Sequence, residues 1–257
     1  MAEKRIGVII QARMGSTRFY GKVLEELDED EKVLDILIER LKLSKLINKI
    51  IIATTPDERN SAIIDVAKEH NVFYFIGSEE NVLKRYYLAS KKHNLKIIIR
   101  VTSDCPFIDP FVIDDMIKFY LENSYHCIRN VDNKTNFSRG FEVEIFSFEI
   151  LEQIYEMATT KKEKEHVTHF IYTHPENFKV YSFNLESLPN YEDLRLTIDE
   201  FEDLELCRNV YKRLKSKGKG IDFSVFDIYE IIEKNPSLMD INKNIIHKTL
   251  HKSNIKK

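Results

Sequence analysis

Residues 8–24 read VIIQARMGSTRFYGKVL, an apolar run that empties into a loop holding Arg13, Arg18 and Lys22 and no acid. A strand that ends in a glycine-bearing cationic loop is one way for an α/β protein to seat phosphates. Gly15 lets the backbone come close to a ligand, Ser16 and Thr17 add hydroxyl and amide donors, and the three cations supply charge. No Gly-Lys-Ser/Thr follows, so this is not a Walker loop. On its own the loop reads equally well as a solvated turn on which cations collect, and the rest of the chain must decide.

Outward from it, short Ile- and Val-rich runs at 6–10, 50–53, 72–76 and 97–101 alternate with helical patterns. That alternation predicts a mixed, mainly parallel sheet flanked by helices, with those strands buried on both faces. The helix after Gly77 is expected to start from Ser78 as N-cap with Glu79 and Glu80 in its first turn, and residues 109–123 from Asp109 with Pro110 at the first helical position. FEVEIFSF, residues 141–148, alternates apolar with acidic residues and predicts a half-exposed antiparallel strand. A helix over 162–172, a strand within 178–184, a strand-like run at 194–199 and helices over 201–214 and 222–238 complete the pattern. Residues 1–236 are expected to form one domain, and 237–257 a tail that frays.

Composition excludes several function classes. The 257 residues carry 39 basic and 42 acidic side chains, a net charge of −3, with both signs interspersed. No basic block argues for nucleic acid or a membrane surface. Cys105, Cys127 and Cys207 form no Cys-X-X-Cys pair, which argues against zinc or a disulfide framework and for a reducing, cytoplasmic setting. No signal peptide is expected, and no run reaches the roughly 18 apolar residues of a membrane-spanning helix.

In open α/β sheets ligands gather beyond the carboxyl ends of the strands. Asp104 stands there in IIIRVTSDCPFIDP (97–110), and Asp199 in RLTIDEFEDL (195–204). Two carboxylates facing a cationic loop would let Mg²⁺ bridge protein and phosphate. Each also reads as a helix N-cap, Asp199 above all because a helical pattern follows it directly.

With these loops in view, the ordered set IIQARMGSTR, ATT, GSEENVLKRYY, RVTSDCPFIDP, RGFEVEIFSF, EHVTHFI and RLTIDEFEDLEL resembles the sugar cytidylyltransferases of the spore coat polysaccharide biosynthesis protein F type, relatives of the acylneuraminate and 3-deoxy-manno-octulosonate cytidylyltransferases. The resemblance implies a Rossmann-like nucleotidyltransferase fold. It also implies transfer of CMP from CTP to a sugar of acidic or nonulosonic type, with release of pyrophosphate, in surface polysaccharide or glycan biosynthesis. Gln11, Ala12, Arg13, Gly15, Ser16 and Lys22 are then nucleotide contacts, with Arg85 and Asp104 on the same side. Asp104 and Asp199 hold Mg²⁺, and with Arg13 and Lys22 form the catalytic set; no protein base is identified. Arg139, Glu142, Glu144 and His166 face the sugar. Glu142 and Glu144 also read as solvated residues in phase on a strand, and His166 as structural. A homodimer is implied, with residues 139–146 as part of its interface.

Three positions depart from the family pattern. Phe19 and Tyr20 stand where relatives have Leu-Pro, Glu200 and Phe201 where they have Thr-Pro, and Lys164 where an arginine is common. The prolines would have fixed the backbone at both places. The lysine lacks the planar fork that grips a sugar acid. Two rival readings are a metal-dependent glycosyltransferase, whose Asp-X-Asp is not expected after a strand here, and a nucleotide-binding protein without turnover.

Overall fold

A computed structural model describes residues 5–132 and 134–245. In chain order its strands are β1 (Ile6–Gln11), β2 (Glu26–Asp28), β3 (Glu31–Lys32), β4 (Lys49–Thr54), β5 (Phe73–Ile76), β6 (Ile97–Thr102), β7 (Cys127–Arg129), β8 (Glu144–Ser147) and β9 (Val180–Ser182). The helices are α1 (Val33–Leu41), α2 (Ser61–Glu69), α3 (Val82–Lys92), α4 (Pro110–Glu122), α5 (Phe148–Met157), α6 (Lys161–Glu165), α7 (His169–Thr173), α8 (Phe201–Ser216) and α9 (Val225–Lys234). Seven strands form one sheet in the order β5-β4-β1-β6-β8-β7-β9, and β2 pairs with β3 as a separate hairpin.

The pairs among β5, β4, β1 and β6 are parallel, while β8 runs antiparallel to both β6 and β7. Because side chains alternate across a strand, β1 feeds two cores. Val8 and Ile10 pack with residues of α1, α4, α8 and α9, and Ile9 with residues of α3 and α5 on the other face. This two-sided burial makes the central strands continuous apolar runs. β5 departs from that expectation: as an edge strand it leaves Phe73, Tyr74 and Ile76 exposed.

Other details differ from the sequence pattern for local reasons. The third helix begins at Val82, one turn later than expected, because Asn81 is its cap: the Lys84 N–H donates to its side-chain oxygen at 2.8 Å, while Ser78 Oγ accepts only the Asn81 N–H. Asp109 caps α4 as expected, accepting from the Phe111 and Val112 N–H groups. Residues 141–148 do yield an antiparallel strand, but β8 lies inside the sheet, with Glu144, Ile145 and Phe146 buried rather than half-exposed. Phe141 and Val143 are buried as well, while Arg139 and Glu142 in the same stretch keep 42% and 32% of their side chains exposed. The helix expected over 162–172 is two short ones, α6 and α7, interrupted at 166–168.

Residues 194–199 are extended without joining the sheet. They make one isolated parallel bridge, Arg195 to Arg139 in the loop before β8, and the Leu196 N–H donates to Arg139 O at 2.8 Å. Gly140 permits this approach: its φ is +106°, and a Cβ there would stand 2.5 Å from the Leu196 carbonyl carbon. At the C-terminus, Pro236–Asp240 forms a turn, and Leu238 and Asn242 are buried. Residues 237–245 therefore belong to the domain rather than to a frayed tail; the rest of the expected tail, 246–257, lies outside the described residues. Among the described residues no helix is long and apolar enough to cross a membrane.

Candidate active site

The loop after β1 turns back on itself at Gly21, whose φ is +71° and whose N–H donates to Met14 O at 3.1 Å. That turn delivers Lys22 to the end of the sheet, where its Nζ donates to Asp104 Oδ2 at 2.7 Å and to Asp199 Oδ1 at 2.8 Å. Asp104 follows β6 in a turn, and the Ile198 N–H donates to its carbonyl at 2.8 Å, drawing Asp199 alongside. Neither aspartate is an N-cap. α8 starts from Glu200, and the Asp203 carboxylate accepts the N–H groups of Asp199 and Glu200, while α4 starts from Asp109. Both carboxylates are thus free of helix capping.

The electrostatics of the three groups are mutual. Burial works against the Lys22 charge, but Asp104 and Asp199 outweigh it and hold its pKa above the usual lysine value. Burial likewise works against the Asp199 charge, and Lys22, then Arg18 and Arg195, reverse that and hold its pKa below the ordinary carboxylate range. All three cations of the acid-free loop find acids from elsewhere in the chain. Arg18 reaches Asp199 at 2.7 Å and Glu200 at 3.7 Å, and Arg13 reaches Glu79 at 3.2 Å.

Arg13 thereby stands apart from the aspartate pair, on the side of Arg85. The Arg85 side chain is buried, donates from Nη1 to Ser78 O at 2.6 Å, and has no partner at Nε among the described residues. Burial lowers its pKa, and the charge of Arg13 adds to that. Ala12 is in the core with its N–H on Ala53 O, Gln11 O accepts the Ser103 N–H, and Ser16 Oγ accepts the Phe19 N–H. A Cβ at Gly15 would meet only Glu79 Oε1, at 4.0 Å, so the chain's own packing does not demand glycine there.

The two departures from the family pattern at 19–20 and 200–201 meet in space. The Phe19 and Phe201 rings lie edge to face with centroids 6.4 Å apart, beside the Arg18 to Glu200 ion pair. Rings and charges here join the two loops that the missing prolines would have stiffened separately.

From the aspartate pair a cleft of 880 Å³ runs across the sheet end, and Arg139, Glu142, Glu144 and His166 all line it. Glu144 is not solvated: it receives Arg100 Nη1 at 2.5 Å, Thr168 Oγ1 at 2.9 Å and the Tyr172 hydroxyl. Burial would raise its pKa, and the Arg100 charge overcomes this and lowers it. Glu142 keeps 32 % of its side chain exposed, accepts the Gly140 N–H at 2.7 Å, and lies 3.8 Å from Arg139 Nε. Desolvation raises its pKa against the opposing charge of Arg139. The His166 and His169 rings are 6.2 Å apart at the rim.

Sequence reasoning passed over Arg100, Arg129, Asp132, Thr168 and Tyr172, which also line the cleft, and Arg195, which binds Asp199 Oδ2 at 2.7 Å. A signal existed for two of them, since Arg100 and Arg195 are lone charges inside apolar runs. An Asp-X-Asp does occur after a strand, at Asp28 to Asp30, against expectation. It forms the β2–β3 turn outside the cleft, and Asp28 is bound to Lys215 at 2.7 Å.

Comparison with known proteins agrees with this geometry. The family model described as cytidylyltransferase matches residues 7–244. The uncharacterized protein MJ1063 of Methanocaldococcus jannaschii is 36% identical over 94% of this chain and 96% of its own length. The spore coat polysaccharide biosynthesis protein SpsF of Bacillus subtilis is 32% identical over 89% of this chain and 94% of its own. A solved cytidylyltransferase from Leptospira borgpetersenii superposes with a TM-score of 0.87 at 33% identity, covering 95% of this chain and 99% of that one. With the sheet order, the cationic loop and the paired aspartates already in place, these matches show that the chain belongs to the cytidylyltransferase family.

Proposed function

We propose that the enzyme transfers CMP from CTP to a hydroxyl of a sugar and releases pyrophosphate, in the making of a surface polysaccharide or glycan. The observation that carries this reading is the single ammonium, Lys22 Nζ, held at 2.7 and 2.8 Å by two carboxylates at the mouth of the cleft. Those carboxylates are hard oxygen donors already converging on one cation, so the donor set fits Mg²⁺. Once bound, the metal would neutralise phosphate charge and polarise the α-phosphoryl group. Asp104 and Asp199 would hold it, Lys22 would turn to the phosphate oxygens, and Arg18 and Arg13 would flank the leaving pyrophosphate. Catalysis of this kind is mostly positioning and charge stabilisation.

The sugar would occupy the cleft beyond Asp104. Arg100 and Arg129 are already held by Glu144 and Asp132 at 2.5 and 2.8 Å, whereas among the described residues the Arg139 guanidinium has one ion pair, at 3.8 Å with Glu142. Arg139 is therefore the cation best placed to meet the carboxylate of an acidic sugar. The three buried free cysteines fit a reducing, cytoplasmic setting.

Nucleotide choice is tested by melting the protein with Mg²⁺ and each of CTP, UTP, ATP and GTP. CTP is expected to give the largest rise, about 2.7 kcal/mol of stabilisation at about 100 times its Kd. A larger rise with UTP or a purine nucleotide would overturn the choice of CTP.

A further inference from the structure

Asp199 is held from behind by a buried network that no sequence motif announces. Its Oδ2 accepts from Arg195 Nη2 at 2.7 Å, and Arg195, 3% exposed, donates from Nε to Asp203 Oδ1 at 3.0 Å and from Nη2 to Asp203 Oδ2 at 3.2 Å. Asp203 is fully buried, and its Oδ2 also accepts the backbone N–H groups of Asp199 at 2.9 Å and Glu200 at 3.0 Å. The Asp203 to Arg195 pair therefore grips both the main chain and the carboxylate of Asp199.

A third residue locks that pair. Asn242, 5% exposed and contributed by the segment after the last turn, donates from Nδ2 to Asp203 Oδ1 at 2.8 Å and to the Arg195 carbonyl at 2.9 Å. One amide bonded to both partners fixes their separation and hence the point at which Arg195 meets Asp199. A buried ion pair by itself adds little net stability, because desolvation offsets the attraction. An amide that orients it acts instead as outer-shell support does in metal sites, where partners behind a ligand set its direction.

We infer that Asn242 is a positioning residue for Asp199, acting through Asp203 and Arg195, so that the C-terminal segment completes the metal-binding carboxylate pair. The inference rests on the reading of Asp199 as a metal-binding carboxylate. It assigns Asn242 no contact with substrate.

The test titrates Mn²⁺ into the full chain at saturating CTP and reads binding by water-proton relaxation. The variants are Asn242→Ala, with Asp199→Asn as reference. Asn242→Ala is expected to weaken Mn²⁺ binding by about 10- to 100-fold, the range for outer-shell partners, and to raise the metal concentration for half-maximal activity by the same factor while kcat at saturating metal is kept. Wild-type Mn²⁺ affinity in Asn242→Ala, with affinity lost in Asp199→Asn, would overturn the inference and leave the metal reading standing. Wild-type affinity in Asp199→Asn would instead overturn the metal reading itself. If Asn242→Ala melts below the assay temperature, Asn242→Ser, which keeps one donor, carries the test: affinity between wild type and Asp199→Asn supports the role, and affinity equal to wild type removes it.

Discussion

Asp104→Asn and Asp199→Asn each lose about 10³-fold in kcat, and the double variant is little worse than either. The size follows from the charge each removes, since deleting one group that stabilises transition-state charge costs on the order of 10²–10³ in rate. The non-additivity follows from geometry: both carboxylates meet one cation, Lys22 Nζ, at 2.7 and 2.8 Å, and groups acting as a unit cannot be lost twice. Asparagine keeps size and one acceptor oxygen, so the fold survives, and since neither residue caps a helix the loss is not one of capping. Steady-state kinetics at saturating CTP and Mg²⁺ check this. Near-normal turnover in Asp199→Asn would remove that residue from the metal site.

Arg100→Met destabilises the protein by about 3–5 kcal/mol, the cost of leaving one partner of a buried ion pair unpaired. For a chain of this size that lowers the melting temperature by on the order of 10 °C. Glu144 is the partner left behind, buried, with the Thr168 and Tyr172 hydroxyls as its remaining side-chain donors among the described residues. Adding Glu144→Gln removes the stranded charge while keeping an acceptor for both hydroxyls, so the double variant recovers most of the loss. Urea melts of the two single variants and the double close the cycle. A loss for Arg100→Met no larger than that of a surface pair, about 0–1 kcal/mol, would show that the pair is solvated and does not frame the cleft.

The legible part of the fold was the part encoded locally. The central strands announce themselves because burial on both faces makes them unbroken apolar runs, and the Asp109-Pro110 start of α4 is written in two adjacent residues. The aspartate pair was reachable because Asp104 follows a strand and the chain must return to the same sheet end. Residues 194–199 misled for the same reason: a buried extended segment has the pattern of a strand whether or not it finds a ladder, and here it makes one bridge, Arg195 to Arg139, where Gly140 permits the approach. Glu144 looked solvated because its alternation with apolar residues says nothing of Arg100, which meets it across the β6–β8 register. Asn242 was invisible because its polar neighbourhood reads as a tail, and only the fold brings it to Asp203.

The central claim is that this site moves a nucleotidyl group and leaves the pyrophosphate free. The most direct measurement supplies CTP labelled on the α-phosphorus, Mg²⁺ and a panel of acidic sugars, then separates the products. Label recovered in a sugar monophosphate diester of cytidine, with an equal amount of unlabelled pyrophosphate, is the expected result. Label recovered only as unreacted CTP or free CMP with every sugar, from folded protein that binds CTP, would contradict it.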